Sequence, residues 1–103
     1  MKNGLGNMLK QAEKMQSEMA RVQEELAGSR VDGESGGGMV KVTMNGKREV
    51  VAVNIESVAT TEDKAMLEDL VAAAVNDAIR RVEELSAEKM AQITSGIELP
   101  AGI

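Results

Sequence analysis

A heptad seam runs through the first 26 residues: Leu5, Met8, Ala12, Met15, Met19, Val22 and Leu26 recur at alternating steps of three and four. A seam that narrow fits against one other helix, not against a broad core. The chain must therefore open with a long helix that lies along a partner helix, its own or another subunit's. The spacing predicts this helix from Gly4 to Ala27, with Gly28 as its stop. Its opposite face is built differently. Asn3, Asn7, Lys10, Lys14, Ser17 and Arg21 share the same rhythm, with no acid on that line until Glu24. In a chain of net charge −5, one basic stripe has been kept apart.

Composition removes several functions. At 103 residues the chain is read as one domain, 1–103, which buries only about two-thirds of its unfolded surface, so that oligomerisation is a ready source of extra burial. There is no Cys and no His, which takes away thiolate chemistry, the usual acid–base residue at neutral pH and the commonest metal ligands. Acids are plentiful, but none sits in a recognisable dyad or in metal-ligand spacing. The expectation is a protein that is not an enzyme, with no metal, no cofactor and no small-molecule substrate. Phe, Trp and Tyr are also missing. Single-strand binders and base-specific RNA modules stack bases on aromatic rings. A nucleic-acid ligand of this chain must instead be held by phosphates and duplex shape. No stretch reaches the ~20 apolar residues of a membrane span, and Met1-Lys2-Asn3-Gly4-Leu5 lacks an apolar signal core. These readings point to the cytoplasm and to no membrane partner.

Three strand-like runs follow the first helix: Ser29 to Glu34, Gly38 to Met44, and Arg48 to Ile55. Asn45-Gly46 between the last two is a strong hairpin signal and predicts a two-residue turn. That register sets Val40 against Val51 and gathers Val40, Val42, Met44, Val51, Val53 and Ile55 on one face. The third strand is then largely apolar on both faces, and a second subunit is a natural cover. Gly33-Glu34-Ser35-Gly36-Gly37-Gly38 lacks the phosphate-loop pattern and reads as a strand-to-strand turn, its glycines also admitting close backbone approach at a dimer contact.

A second helix is predicted from Thr60 or Thr61 to Ser95, ended by Gly96 and Pro100, with Glu62 and Asp63 in its first turn. Leu67, Leu70, Val71, Ala74, Val75, Ala78, Val82 and Leu85 give it a wide core-facing stripe. It spans about 50 Å against about 23 Å for the strands. The fold expected is α+β, an α-β-β-β-α protomer with a small antiparallel sheet and two long projecting helices.

Gly4-Leu5-Gly6-Asn7-Met8-Leu9-Lys10-Gln11-Ala12, Gly33 to Val42, Met66 to Ala78, and the ending with Glu88-Lys89-Met90 and Leu99-Pro100 together resemble the YbaB/EbfC family of bacterial nucleoid-associated DNA-binding proteins. The resemblance covers nearly the whole chain. It implies a tweezer-like homodimer with projecting helices, duplex DNA as partner with limited sequence dependence, a place in the nucleoid, and a role in gene regulation. Some relatives carry a longer, more basic tail where this sequence has Pro100-Ala101-Gly102-Ile103, and a tail contribution is not expected here.

The candidate DNA-contacting residues are Lys10, Lys14 and Arg21 on the first helix and Arg80, Arg81 and Lys89 on the second. Lys10 and Lys14 are an i, i+4 like-charge pair whose repulsion a phosphate lattice would offset. The bland alternative is a solvated face, with Lys10 paired to Glu13 and Arg21 to Glu18. Glu83, Glu84 and Glu88 make the second arm net negative. Lys47 and Arg48 at the hairpin tip suit solubility as well as binding. The rival from another class is a small acidic dimeric chaperone or adaptor that holds a protein client on its methionine-rich and apolar surfaces.

Overall fold

A computed structural model describes residues 2–96. Helix α1 (Lys2–Gly28) leads into strands β1 (Arg30–Ser35), β2 (Val40–Asn45) and β3 (Val50–Ile55), and the chain closes on helix α2 (Lys64–Gly96). The strands form one antiparallel sheet in the order β1-β2-β3. This is the expected α-β-β-β-α protomer. The expected stop at Pro100 lies outside the described residues.

The core is one side of β2 against one stripe of α2. Val40, Val42 and Met44 alternate onto the same side of the sheet and meet Ala74, Ala78 and Val82, with Leu67, Leu70, Val71 and Val75 packed around them. Small alanines let α2 lie close to the sheet. At Gly33 in β1 a Cβ would fall 2.2 Å from the Ala78 nitrogen and 2.4 Å from the Ala74 oxygen. The close approach at Gly33 is thus between strand and helix inside the protomer. Gly36–Gly38 form the turn into β2, with φ of 60°, 66° and 94°, values that side chains rarely adopt.

The β2–β3 hairpin differs from expectation. Val40 faces Ile55 and Val42 faces Val53, four residues away from the two-residue-turn register. Asn45 accepts the Arg48 N–H on its carbonyl and the Lys47 and Glu49 N–H groups on its side chain, so the loop is Gly46-Lys47-Arg48. Arg48, not Gly46, holds the left-handed position, at φ 64°. A turn followed by a left-handed residue is the three-residue alternative to the primed turn. One extra residue of β3, Val51, is taken up as a bulge between the pairs Thr43–Ala52 and Met44–Val50. The shift is even apart from the bulge, so Val53 and Ile55 keep the face expected of them.

Helix α2 begins later than Thr60 or Thr61. Ser57–Thr61 form a 3-10 turn, and Asp63 stands outside the helix as its cap, its Oδ1 accepting the Met66 N–H at 2.7 Å. A short carboxylate that satisfies an orphan first-turn donor sets the boundary more firmly than the threonines do.

The protomer is long. It measures 71 × 25 × 16 Å with a radius of gyration of 20.1 Å, against about 13 Å for a compact chain of this size. The excess comes from the two long helices, which overrun the short strands, α1 packing on the rest of the described chain near its C-terminal end.

Candidate nucleic-acid interface

The last two turns of α1 are docked. Val22 and Leu26, the final members of the seam, are buried against Ile93, with Leu85 beside them. Glu25 accepts a hydrogen bond from the Lys89 ammonium at 3.1 Å. Position numbers fall along α2 as they rise along α1, so the helices run antiparallel. The carbonyls left open at the end of α1 find donors: Glu25 O from the Ser29 hydroxyl at 2.7 Å, and Leu26 O from the Gly46 N–H at 2.8 Å. Gly46 is required here by contact rather than by φ, because a Cβ would sit 2.3 Å from Leu26 O.

The rest of α1 stands free. Ile93 is within a turn of the end of α2, so the antiparallel contact runs out at about Met19. Leu5, Met8, Leu9, Met15 and Met19 are exposed, from 41% to 67%. Among the described residues, only the last part of the heptad seam is packed on a helix of the same protomer.

The polar stripe is carried on this rod. Asn7, Lys10, Lys14, Ser17 and Arg21 are all exposed, while the Asn3 side chain lies outside the described residues. Lys10 and Lys14 make no ion pair with any described residue, and the pairing of Lys10 with Glu13 does not form. At about 1.5 Å per residue the two ammonium groups are carried about 6 Å apart along the axis. Arg21 is different. Its guanidinium lies between Glu18, at 2.6 Å, and Glu25. The hydrogen bond and charge of Glu18, followed by Glu25, raise the Arg21 pKa above its ordinary value. Glu18, one turn beyond Lys14, is thereby drawn away from it. Between residues 2 and 16 the sequence has Lys2, Lys10 and Lys14 against Glu13 alone. The free end of α1 is basic, and the acids of α1 gather at its docked end.

The α2 candidates are engaged. Arg80 and Arg81 share Asp77 at 3.2 and 3.0 Å. Asp77 also accepts the Glu34 N–H of β1 at 3.0 Å, and that bond first, then Arg81, holds its carboxyl below the usual range. Lys89 is half-buried between α2 and Glu25. Of the six candidates, Lys10 and Lys14 are the positive groups without an ion-pair partner among the described residues. Sequence reading gave Lys41, Lys47 and Lys64 no comparable weight, yet they too are exposed without an ion pair among the described residues. None of them stands on a helix-face stripe of basic residues such as that of Lys10 and Lys14. Among the described residues no group of acids, His or Cys could hold a metal ion, and no helix is long and apolar enough to cross a membrane.

A stripe that carries Lys10 and Lys14 on an exposed rod, with no acid on its line, is a surface for a polyanion, and the comparison with known sequences agrees. A sequence model of the YbaB/EbfC DNA-binding family matches residues 1–97. The chain belongs to the YbaB/EbfC family. This is a DNA-binding, nucleoid-associated family and not a family of enzymes. The fold is likewise similar to the crystal structure of an uncharacterized protein from Helicobacter pylori, at 30% identity and a TM-score of 0.71, over 87% of this chain and 92% of that one. The fold of this YbaB/EbfC member is thus shared with a solved structure over most of both chains.

Proposed function

We propose that the protein is a homodimer that grips duplex DNA through phosphates, with the two α1 rods as its arms and Lys10 and Lys14 as the leading contacts. The observation that carries this is the pairing pattern of α1: Lys10 and Lys14 in the free half have no carboxylate among the described residues, while Arg21 at the docked end has two. Phosphate contact releases condensed counterions and positions the protein without reading bases. The absence of any aromatic side chain removes base stacking, so low sequence specificity follows. Arg21, Arg80, Arg81 and Lys89 add long-range attraction and keep spare guanidinium or ammonium donors for phosphate, but each must share them with an acid. Two rods on one particle can bend one duplex or bridge two, in the service of nucleoid organisation and gene regulation in the cytoplasm.

The test is a salt titration of binding to random-sequence duplex. Log K should fall linearly with log salt, and Lys10→Glu with Lys14→Glu in one chain should weaken binding at least tenfold at low salt and flatten the slope by about one for each phosphate lost. A flat salt dependence in the native protein rejects the phosphate mechanism. Unchanged affinity in the folded double variant moves the site off α1. The client-holding adaptor reading draws on the exposed seam of Leu5, Met8, Met15 and Met19; retention of an unfolded protein with no retardation of duplex DNA would favour it.

A further inference from the structure

The tip of the β2–β3 hairpin meets the end of α1 and the middle of α2 around an open groove of about 330 Å³. Leu26 and Val82, both buried, form its apolar wall, and Gln23, Lys47, Arg48 and Ser86 supply its polar rim. Neither cation is committed elsewhere. Lys47 has no ion pair among the described residues. Arg48 reaches Glu83 only at 3.9 Å, with both side chains more than half exposed. Glu49, the other acid at the tip, is turned to the Asn45 amide at 2.8 Å. The Ser86 hydroxyl and the Gln23 side-chain amide make no hydrogen bond among the described residues. Ser86 is half-buried in mid-helix, yet it does not bond back to the preceding turn of α2, the common recourse of such a hydroxyl.

The backbone at Arg48 adds a second observation. Its φ of 64° is a conformation that glycine takes freely and arginine does not. The Arg48 N–H bond to Asn45 O would be made equally by glycine. The pair with Glu83 is too long and too exposed to offset the strain. Strain held without a structural compensation points to a task for the side chain. The groove is also no extension of the lysine stripe. Gln23 stands nine residues after Lys14, about two and a half turns at about 3.6 residues each, so the two leave opposite sides of α1.

We infer that this groove is a phosphate-binding site, separate from the lysine stripe, in which Lys47 and Arg48 take the charge of a phosphate group while Ser86 and Gln23 donate hydrogen bonds to its oxygens. The N–H groups of Gly46, Lys47 and Arg48 are already engaged by Leu26 and Asn45, so the side chains do the binding. A phosphate suits this set better than a carboxylate, because its oxygens can accept from guanidinium, ammonium, hydroxyl and amide donors at once. The buried Leu26 and Val82 lower the local dielectric and strengthen those contacts. Recognition stops at the phosphate, since the chain has no aromatic ring on which to stack a base. The phosphate can belong to a free phosphorylated molecule or to a duplex lying on the far side of α1 from the stripe.

The probe is inorganic phosphate, titrated into the whole chain at an ionic strength held constant with chloride and followed by nuclear magnetic resonance. Saturable shifts are expected at Lys47, Arg48 and Ser86, and none on exchanging chloride alone. Arg48→Gly is the deciding variant. It relieves the left-handed φ, so the denaturation midpoint should rise while phosphate affinity falls at least about tenfold. Ser86→Ala should weaken binding with the midpoint unchanged. If Arg48→Gly loses its fold, Lys47→Gln carries the same affinity test. Shifts that never saturate, or a folded Arg48→Gly that binds phosphate as the native protein does, overturn the site. The source of the phosphate is read in the variant with Lys10→Glu and Lys14→Glu. Random-sequence duplex that shifts the same resonances there upholds the site and places its phosphate on a nucleic-acid backbone. Duplex that leaves them in place while inorganic phosphate saturates them upholds the site for a free phosphorylated ligand.

Discussion

The two halves of α1 belong to one helix and live in different environments. The docked half has its seam residues buried, its carbonyls capped by Ser29 and Gly46, and its charges closed into the set Arg21, Glu18, Glu25 and Lys89. The free half has the same heptad rhythm, exposed apolar residues, and Lys10 and Lys14 without an ion pair among the described residues. The difference shows that a periodic pattern states what a helix could bury, while the length of its partner decides how much of it is buried. Position along α1 then sorts the roles: anchorage at the docked end, and the proposed ligand contact at the free end.

The comparison breaks most completely at Gly46. Gly46→Val places a side chain against the Leu26 backbone where a Cβ has 2.3 Å, and the contact cannot relax without lifting α1 off the hairpin. A loss of about 3 kcal/mol or more is expected, read by chemical denaturation, with hydrogen-exchange protection lost first in residues 20–28. Retained protection there would mean that the hairpin tip does not hold the arm.

A smaller effect of opposite sign is expected in the free half. Gly4 and Gly6 have nothing within 4 Å of an added Cβ. Gly4→Ala with Gly6→Ala should raise helicity, by about 0.8–1 kcal/mol of intrinsic propensity at each interior position, with the docked half and the dimer unchanged. A loss of stability would show that these glycines serve a contact.

The smallest effect concerns Glu25. The hydrogen bond from Lys89, followed by the charges of Lys89 and Arg21, holds its carboxyl below the usual carboxylate range. A carboxylate depressed in the folded state contributes stability that is fully present above its unfolded pKa and is lost as the pH falls through the folded one. Glu25→Gln should therefore leave a shallower loss of α1 docking between about pH 5 and pH 3, followed by circular dichroism. An unaltered acid profile would mean that the ion pair contributes nothing to docking.

Much of the fold was legible because it rests on short-range periodicity. The seam of α1, the stripe of α2 from Leu67 to Leu85 and the alternation of Val40, Val42 and Met44 are all local patterns, and each stands where its period places it. The hairpin was misread for a different reason. Asn45-Gly46 is a valid signal for a two-residue turn, but Gly46 is needed for its distance from Leu26, a residue twenty positions earlier, and no local rule contains that distance. The candidate site divides in the same way. Lys10 and Lys14 followed from spacing on one helix face. The engagement of Lys89 by Glu25, and of Asp77 by the β1 backbone, joins residues far apart in sequence and was visible only in space.

The order of residues alone determined two long amphipathic helices around three short strands, a chemistry without thiols, imidazoles or aromatic rings, and a family of DNA-binding proteins. Tertiary structure decided where α1 stops being held, and which cations keep an acid and which do not. The first set depends on interactions within a few residues, which a linear code specifies directly. The second depends on where helix ends meet, and that is fixed only when distant segments pack.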